Sequence, residues 1–361
     1  MKINNLGIED VLIPFKQSFN HASAKRKTTE SILVKVITDN SVVGYGEGCP
    51  RSYVTGETIQ TANNFFEKHK NKILNINDLT DIKKYIDTNT KDINKNPAAF
   101  CATELALLDA LGKSERKSIE TLLSLAELSG NFQYTAVLGS NDIESFKNQL
   151  EKYIHTGFKD FKIKISGDLE EDKRKFQLLK KIETKLRVRI DANNFWKNSN
   201  DAIEYIEKLD YPLFAVEEPI QPDDYKGFHK LFNKLKLPII LDESFLRIEQ
   251  FANVQNNAEQ FIINIRISKM GGILRSMAIA DKAKELGIPI IIGAQVGETS
   301  ILTRAALTVA NAYNESLLAQ EGAFGTHLLE NDLTKEPIMF GNNGILNSSS
   351  LSVTDGLGVV E

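Results

Sequence analysis

Phe161-Lys162-Ile163-Lys164-Ile165, Val188-Arg189-Ile190-Asp191, Leu213-Phe214-Ala215-Val216-Glu217, Pro238-Ile239-Ile240-Leu241-Asp242 and Phe261-Ile262-Ile263-Asn264-Ile265-Arg266 are the runs that decide the fold. Each is a short apolar segment that ends in a charge. Near-continuous apolar runs of this length are how strands buried on both faces read, and such strands belong to parallel sheets. The terminal charges Lys164, Asp191, Glu217, Asp242 and Arg266 lie 27, 26, 25 and 24 residues apart. That spacing leaves room for one helix after each strand. Three further runs extend the series, Tyr134–Leu138 before it and Pro289–Ile292 and Ser316–Ala319 after it. Eight repeats of a βα unit are the arithmetic of a parallel barrel. A doubly wound open sheet is the alternative, and no Gly-rich turn follows the first strand to support it.

Outward from the repeats the texture changes. Ile32, Val34 and Val36 alternate, Asp39-Asn40-Ser41 makes a turn, and Val42, Val43 and Tyr45 follow, which reads as an antiparallel hairpin. Between Gly56 and Ala126 the pattern is helical. Ala98, Cys101, Ala102, Leu105, Ala106, Leu108 and Leu111 recur at threes and fours and predict an amphipathic helix. These features divide the chain into an α+β domain over 1–127, a barrel over 128–330 and a segment over 331–361 that returns to the first domain.

The 361 residues carry 44 basic and 48 acidic side chains, a net charge of -4. No strong field recruits nucleic acid or a membrane surface. The apolar runs are far shorter than the roughly 20 residues of a membrane span. No charged n-region with an apolar h-region opens the chain, and the expected location is cytoplasmic. Two cysteines, Cys49 and Cys101, are too few for a disulfide framework or a four-thiolate zinc site, and both are expected to be reduced core residues.

In a barrel the working groups stand at the C-terminal ends of the strands. Asp191, Glu217 and Asp242 end three consecutive repeats there. Three carboxylates at one mouth repel each other, and a divalent cation removes that conflict. An all-oxygen set without His or Cys suits Mg²⁺ rather than zinc. Lys162 and Lys164 are two apart and share a strand face. Two neighbouring ammonium groups in a partly buried site are expected to depress each other's pKa, which suits a general base. The assembled chemistry is removal of a proton α to a carboxylate.

The chain resembles the enolase superfamily, within its muconate-lactonising-enzyme subgroup. The resemblance rests on Gly44-Tyr45-Gly46-Glu47-Gly48, Tyr53-Val54-Thr55-Gly56-Glu57-Thr58, Thr103 through Ala110, Lys162-Ile163-Lys164, the three acids and Met270-Gly271-Gly272. It implies a modified (β/α)7β barrel capped by an α+β domain. It also implies one Mg²⁺ per subunit on Asp191, Glu217 and Asp242, Lys164 as the proton-transfer group, and Lys162 as its electrostatic partner. Family members are commonly homo-oligomers.

Two departures bear on the reaction. Where the subgroup carries a second lysine at the end of the sixth strand, alignment on Gly271-Gly272 places Arg266, with Lys269 three residues on. Arginine stays protonated and is a poor base, but it can grip a carboxylate through two bonds. Dipeptide epimerases of the subgroup carry Asp-x-Asp on the last strand, and this chain has Ala319-Gln320-Glu321-Gly322. The expected function is an Mg²⁺-dependent isomerase or lyase acting on a small carboxylate through an enolate. It would be cycloisomerase-like or o-succinylbenzoate-synthase-like, with one lysine. The alternatives are a dipeptide or N-acyl amino acid epimerase, with Lys269 or another group in place of the missing lysine, and a barrel that binds a carboxylate without turning it over. Phe19, His21, Arg51, Tyr53, Lys269, Glu298 and Glu321 are the candidate substrate-binding residues.

Overall fold

The computed structural model describes residues 1–21, 24–139, 142–182, 184–351 and 355–358. The side chains of 17–21, 24, 25 and 350 fall outside that description, so the expected contacts of Phe19 and His21 lie outside the described residues.

The chain opens with strands β1 (Ile3–Val11), β2 (Pro14–His21), β3 (Ala24–Thr28), β4 (Ser31–Thr38) and β5 (Val43–Gly48). β1, β4 and β5 form an antiparallel sheet, with Val34 opposite Gly46 and Ile37 opposite Val43, and β2–β3 form a separate ribbon. The turn at Asp39–Ser41 closes the expected hairpin, and Ser41 takes a φ of 60° there. Helices α1 (Ile59–Ile73), α2 (Leu79–Ile93), α3 (Pro97–Glu115) and α4 (Ile119–Leu122) follow.

α3 corrects one expectation. It is buried on every side from Pro97 to Gly112 rather than along one stripe. Glu104 and Asp109 make the sequence look amphipathic, yet both are fully buried and bonded to backbone N–H groups: Glu104 accepts from Ile273 and Leu274, Asp109 from Tyr45 and Leu357. The helix lies between its own sheet and the barrel. On the sheet side Gly44, Gly46 and Gly48 face it without side chains. A Cβ on Gly46 would stand 2.1 Å from the Ala102 carbonyl oxygen and 2.4 Å from the Ala106 nitrogen, and those on Gly44 and Gly48 would meet Ala106 and Ala98 at 2.2 and 2.1 Å. Only glycine lets strand and helix backbones come this close.

After β6 (Asn131–Gln133) the barrel begins. Its strands are β7 (Ala136–Leu138), β8 (Asp160–Lys164), β9 (Arg187–Asp191), β10 (Ala215–Glu217), β11 (Ile239–Leu241), β12 (Phe261–Arg266), β13 (Ile290–Gly293) and β14 (Leu317–Gln320). All eight coincide with the expected runs and pair in parallel in chain order. The edges meet where Thr135 N donates to Gln320 O at 2.8 Å. Between them run α5 (Ile143–His155), α6 (Leu169–Lys180), α7 (Ser199–Leu209), α8 (Tyr225–Leu235), α9 (Phe251–Val254), α10 (Ile267–Met270), α11 (Ile273–Leu286) and α12 (Ser300–Ala312). β15 (Ile345–Asn347) pairs with β6, while Gly356 and Leu357 bond to Ile119 and Asp109 of the first domain.

Buried acids join cap and barrel. Glu47 accepts from Thr299 N, Thr299 Oγ1 and Leu302 N at the start of α12, and Glu104 caps α11 from α3 in the same way. A carboxylate on the free N–H groups of a helix start satisfies donors the helix cannot satisfy itself. Cys49 and Cys101 are both free and buried, as expected. Among the described residues no helix is long and apolar enough to cross a membrane.

Candidate active site

Parallel register places the charged strand ends side by side. Lys164 stands opposite Asp191, and Asp191 opposite Glu217, on β8, β9 and β10. Asp242 follows β11 directly. The three acids are at most 1% exposed.

Each acid is held by cations of the chain. Lys164 Nζ donates to Asp191 Oδ2 and Asn193 Oδ1, both at 2.8 Å. Lys162 Nζ lies 3.2 Å from Glu217, 2.7 Å from Glu321 and 3.6 Å from Asp191. Lys269 Nζ donates to Asp242 Oδ1 at 2.7 Å, and the Arg266 guanidinium donates to Asp242 Oδ2. Burial alone would raise the Asp191 carboxyl, but Lys164 and then Lys162 hold it well below the usual range. For Glu217 burial wins over Lys162, and Asp191, Glu321 and Asp242 add to the rise, which reaches about 8.

The Lys162 ammonium reverses an expectation. Burial pushes it down, but Glu217, Glu321 and Asp191 together hold it above its ordinary value. Burial and the like charge of Arg266 are outweighed by three carboxylates, so Lys162 is a fixed cation rather than a tuned base. Glu321 is fixed in turn. It accepts from Lys162 at 2.7 Å and from Arg189 at 2.7 Å, and these cations overcome burial to hold its carboxyl down at about 2. Arg189 also donates to Asp160 and Thr135, so this interior network ties β14 to β7, β8 and β9. Nothing in the sequence near position 189 marks it, because its partners are 29 to 132 residues away.

A cavity of about 460 Å³ opens over the strand ends. Lys162, Lys164, Asn193, Glu243, Arg266, Gln295, Glu298 and Glu321 line its chemical end, and Tyr53 of the capping domain closes over it. Of the residues singled out in the sequence, Tyr53, Lys162, Lys164, Arg266, Glu298 and Glu321 line this one cavity. Burial pushes the Glu298 carboxyl up to about 8, although its Oε1 accepts from Gln295 N at 2.6 Å.

Two expected substrate contacts fall elsewhere. Arg51 is fully buried and donates to the carbonyls of Thr29, Glu30, Pro50 and Val296, which makes it a clamp between cap and barrel. Lys269 is 1% exposed and spends its ammonium on Asp242 Oδ1, Asp242 O and Asn264 O. It does not line the cavity. Both are long cations beside the site, and sequence alone does not show that carbonyls already occupy them.

Sequence reading missed Glu218. It is buried, takes a φ of 39°, and accepts from Asp242 N at 2.6 Å, Ser244 N at 2.7 Å, Ser244 Oγ at 2.7 Å and Asn194 Nδ2 at 2.9 Å. One carboxylate therefore staples the loops that follow β9, β10 and β11. Its signal was the second Glu of Val-Glu-Glu-Pro.

The donor chemistry fits a hard divalent cation. Asp191, Glu217 and Asp242 offer only oxygen, on adjacent strands, in a place where burial and mutual repulsion already raise Glu217. As placed, each carboxylate turns to its own lysine or arginine, and among the described residues no three acidic, His or Cys side chains share one ligand point.

Fold and site define a capped parallel barrel with charged side chains gathered at its strand ends. Residues 6–124 match the family described as Mandelate racemase / muconate lactonizing enzyme, N-terminal domain, and residues 145–360 match Enolase C-terminal domain-like. The chain belongs to this mandelate racemase/muconate lactonizing enzyme family, within the enolase superfamily. It is 26% identical to an N-succinyl-L-Arg/Lys racemase of Bacillus cereus, over 86% of this chain and 84% of that one. It is 27% identical to a hydrophobic dipeptide epimerase of Enterococcus faecalis, over 90% and 92%. The crystal structure of a dipeptide epimerase from Enterococcus faecalis, complexed with Mg and the dipeptide L-Leu-L-Tyr, superposes with a TM-score of 0.86 at 25% identity, covering 100% of both chains.

Proposed function

We propose that this protein is a racemase or epimerase of N-substituted α-amino acids, either N-acyl amino acids or dipeptides. The observation that carries the reading is Lys164. Its ammonium stands on the cavity wall, bonded to Asp191 and Asn193, at the end of the second barrel strand. A lysine so placed can take a proton from the carbon next to a carboxylate and return it. Racemases and epimerases among the relatives support this reading over the cycloisomerase and lyase chemistry expected from the sequence.

In this reading Asp191, Glu217 and Asp242 hold Mg²⁺, which supplies positive charge against the substrate carboxylate. Lys162, kept charged by Glu217, Glu321 and Asp191, adds a fixed positive charge beside Lys164. Asn193 orients the Lys164 ammonium. Tyr53 and the clamp made by Arg51 keep the capping domain over the mouth and restrict water.

One observation favours a second reading. Arg266 ends the sixth strand, is bonded to Asp242 and Gln295, and cannot accept a proton. Lys269 is withdrawn from the cavity. If Arg266 leaves the second face without a base, the reaction uses one face only, as in cycloisomerisation or syn elimination. If two-face exchange occurs, the second proton carrier has to line the cavity on that side, where Glu298 stands.

The test is deuterium wash-in. The Mg²⁺-supplemented protein is incubated in heavy water with N-succinyl amino acids, N-acetyl amino acids and dipeptides, and each enantiomer is followed by NMR. Deuterium entering both configurations supports the racemase reading. Exchange without inversion supports the one-face reading. No exchange with any N-substituted amino acid overturns the proposal.

A further inference from the structure

We infer that Arg266 and Gln295 together form a subsite for an oxygen acceptor on the substrate, the carbonyl of its N-acyl group. Both residues line the same cavity as Lys164, and they are only 9% and 3% exposed. Arg266 Nη1 donates to Gln295 Oε1 at 3.0 Å. A guanidinium has no acceptor, so the amide must turn its oxygen to Arg266 and its NH₂ away. The orientation of Gln295 is therefore set by its partner.

That arrangement leaves two donors unused. Neither Gln295 Nε2 nor Arg266 Nε has a hydrogen-bond partner among the described residues. A buried donor left unsatisfied is costly, so a ligand that satisfies it recovers that cost. Two such buried donors on one bonded pair, whose residues line the cavity, point to an acceptor supplied by the ligand.

Position in the barrel says which part of the ligand. β8 and β12 are the second and sixth of eight strands, so Lys164 and Arg266 face each other across the mouth. With the reacting carboxylate at the three acids and the α-hydrogen toward Lys164, the substituents of the α-carbon turn toward β12 and β13. A free ammonium there would meet a guanidinium and an amide N–H, which both repel it. An acylated nitrogen carries a carbonyl oxygen two bonds away, which accepts from both donors. Glu321, the acid on the last strand, is already held by Lys162 and Arg189 and gives a free ammonium no alternative. The inference uses the racemase reading only for the substrate class.

An acyl carbonyl and a second carboxylate offer the same acceptor chemistry, and binding measurements separate them. The full-length protein with Mg²⁺ is titrated by calorimetry with three ligands: an N-acetyl amino acid, its N-ethyl analogue lacking the carbonyl, and a dicarboxylic acid of similar size. Wild type should bind the N-acetyl ligand more tightly than the N-ethyl one. Gln295→Leu should weaken the N-acetyl ligand about 5–10-fold, the scale of one neutral hydrogen bond, and leave the N-ethyl ligand unchanged. Gln295→Glu keeps an acceptor for Arg266 but has no donor, and should show the same loss if the leucine variant fails to fold. Equal N-acetyl affinity in wild type and a folded variant overturns the subsite, as does a wild type indifferent to the carbonyl. A loss confined to the dicarboxylic acid overturns the carbonyl assignment. Tight, Gln295-dependent binding without deuterium exchange sinks the racemase reading and leaves the subsite standing.

Discussion

Glu120→Gln should loosen the attachment of the capping domain in a pH-dependent way. Glu120 sits on α4, and Arg304 on α12 of the barrel. The two form a bidentate pair at 2.9 and 2.8 Å, and Thr308 Oγ1 adds a bond to Glu120 at 2.8 Å. Glu120 is fully buried and Arg304 is 2% exposed. An amide in place of the carboxylate sets an NH₂ group against a guanidinium N–H and strands a buried charge. Breaking one partner of a buried pair costs about 3–5 kcal/mol. At about 2 °C per kcal/mol, the low end for large domains, Tm should fall by about 6–10 °C at pH 7.

The pH dependence follows from the charge. Burial would raise the Glu120 carboxyl, but the bond to Arg304 and its charge, with Thr308, hold it below the ordinary value of 4.5. A depressed carboxyl stabilises the fold above its unfolded pKa, and that contribution is lost as pH falls through the folded pKa. The gap between wild type and Glu120→Gln should therefore be full at pH 7 and shrink below about pH 4.5. Urea unfolding of both proteins between pH 7 and pH 4 measures it. A gap under 1 kcal/mol at pH 7, or one that widens in acid, would refute the reasoning.

Gly46→Ala should destabilise by about 3 kcal/mol, because its Cβ meets backbone of α3 that cannot rotate away, and denaturant titration would show an unchanged midpoint if the packing were looser than described. Glu217→Gln should weaken Mg²⁺ binding by more than about 100-fold with circular dichroism unchanged, since even residues around metal ligands act on a 10–100-fold scale. Calorimetry showing wild-type affinity would remove Glu217 from the ligand set. Lys164→Met should abolish deuterium exchange at the α-carbon, and exchange at the wild-type rate would place the base elsewhere.

The barrel was legible because a strand buried on both faces leaves an apolar run that survives any helix or loop between repeats. The strand-end acids were legible for the same reason, since a charge closing such a run is conspicuous. The electrostatics were not. Lys162 is raised rather than lowered because Glu321, 159 residues away, completes its ring of acids. Arg51 spends itself on carbonyls, one of them 245 residues on. Glu47 and Glu104 cap helices of the other domain, so no capping motif marks them locally. Spacing along the chain reports which face a residue shares, whereas charge balance depends on neighbours that only the closed barrel brings together.

The glycine face of β5 also sets an angle. Four helix residues rise about 6.0 Å, and two strand residues span about 6.7 Å. Gly44, Gly46 and Gly48 step along α3 four residues at a time, from Ala106–Ala110 through Ala102–Ala106 to Ala98–Ala102. The two lengths agree only if the strand follows the oblique row of every fourth residue, inclined about 26° to the helix axis, because 6.7 Å projects there to about 6.0 Å. The contact works like a spline in a keyway. Sliding β5 by one residue would drive the Tyr45 and Glu47 side chains into the helix, and turning it would lose the match within two steps. Since α3 is bonded to α11 through Glu104, and Glu47 on the same strand is bonded to α12, the tilt of the whole antiparallel sheet over the barrel mouth is machined by three missing side chains.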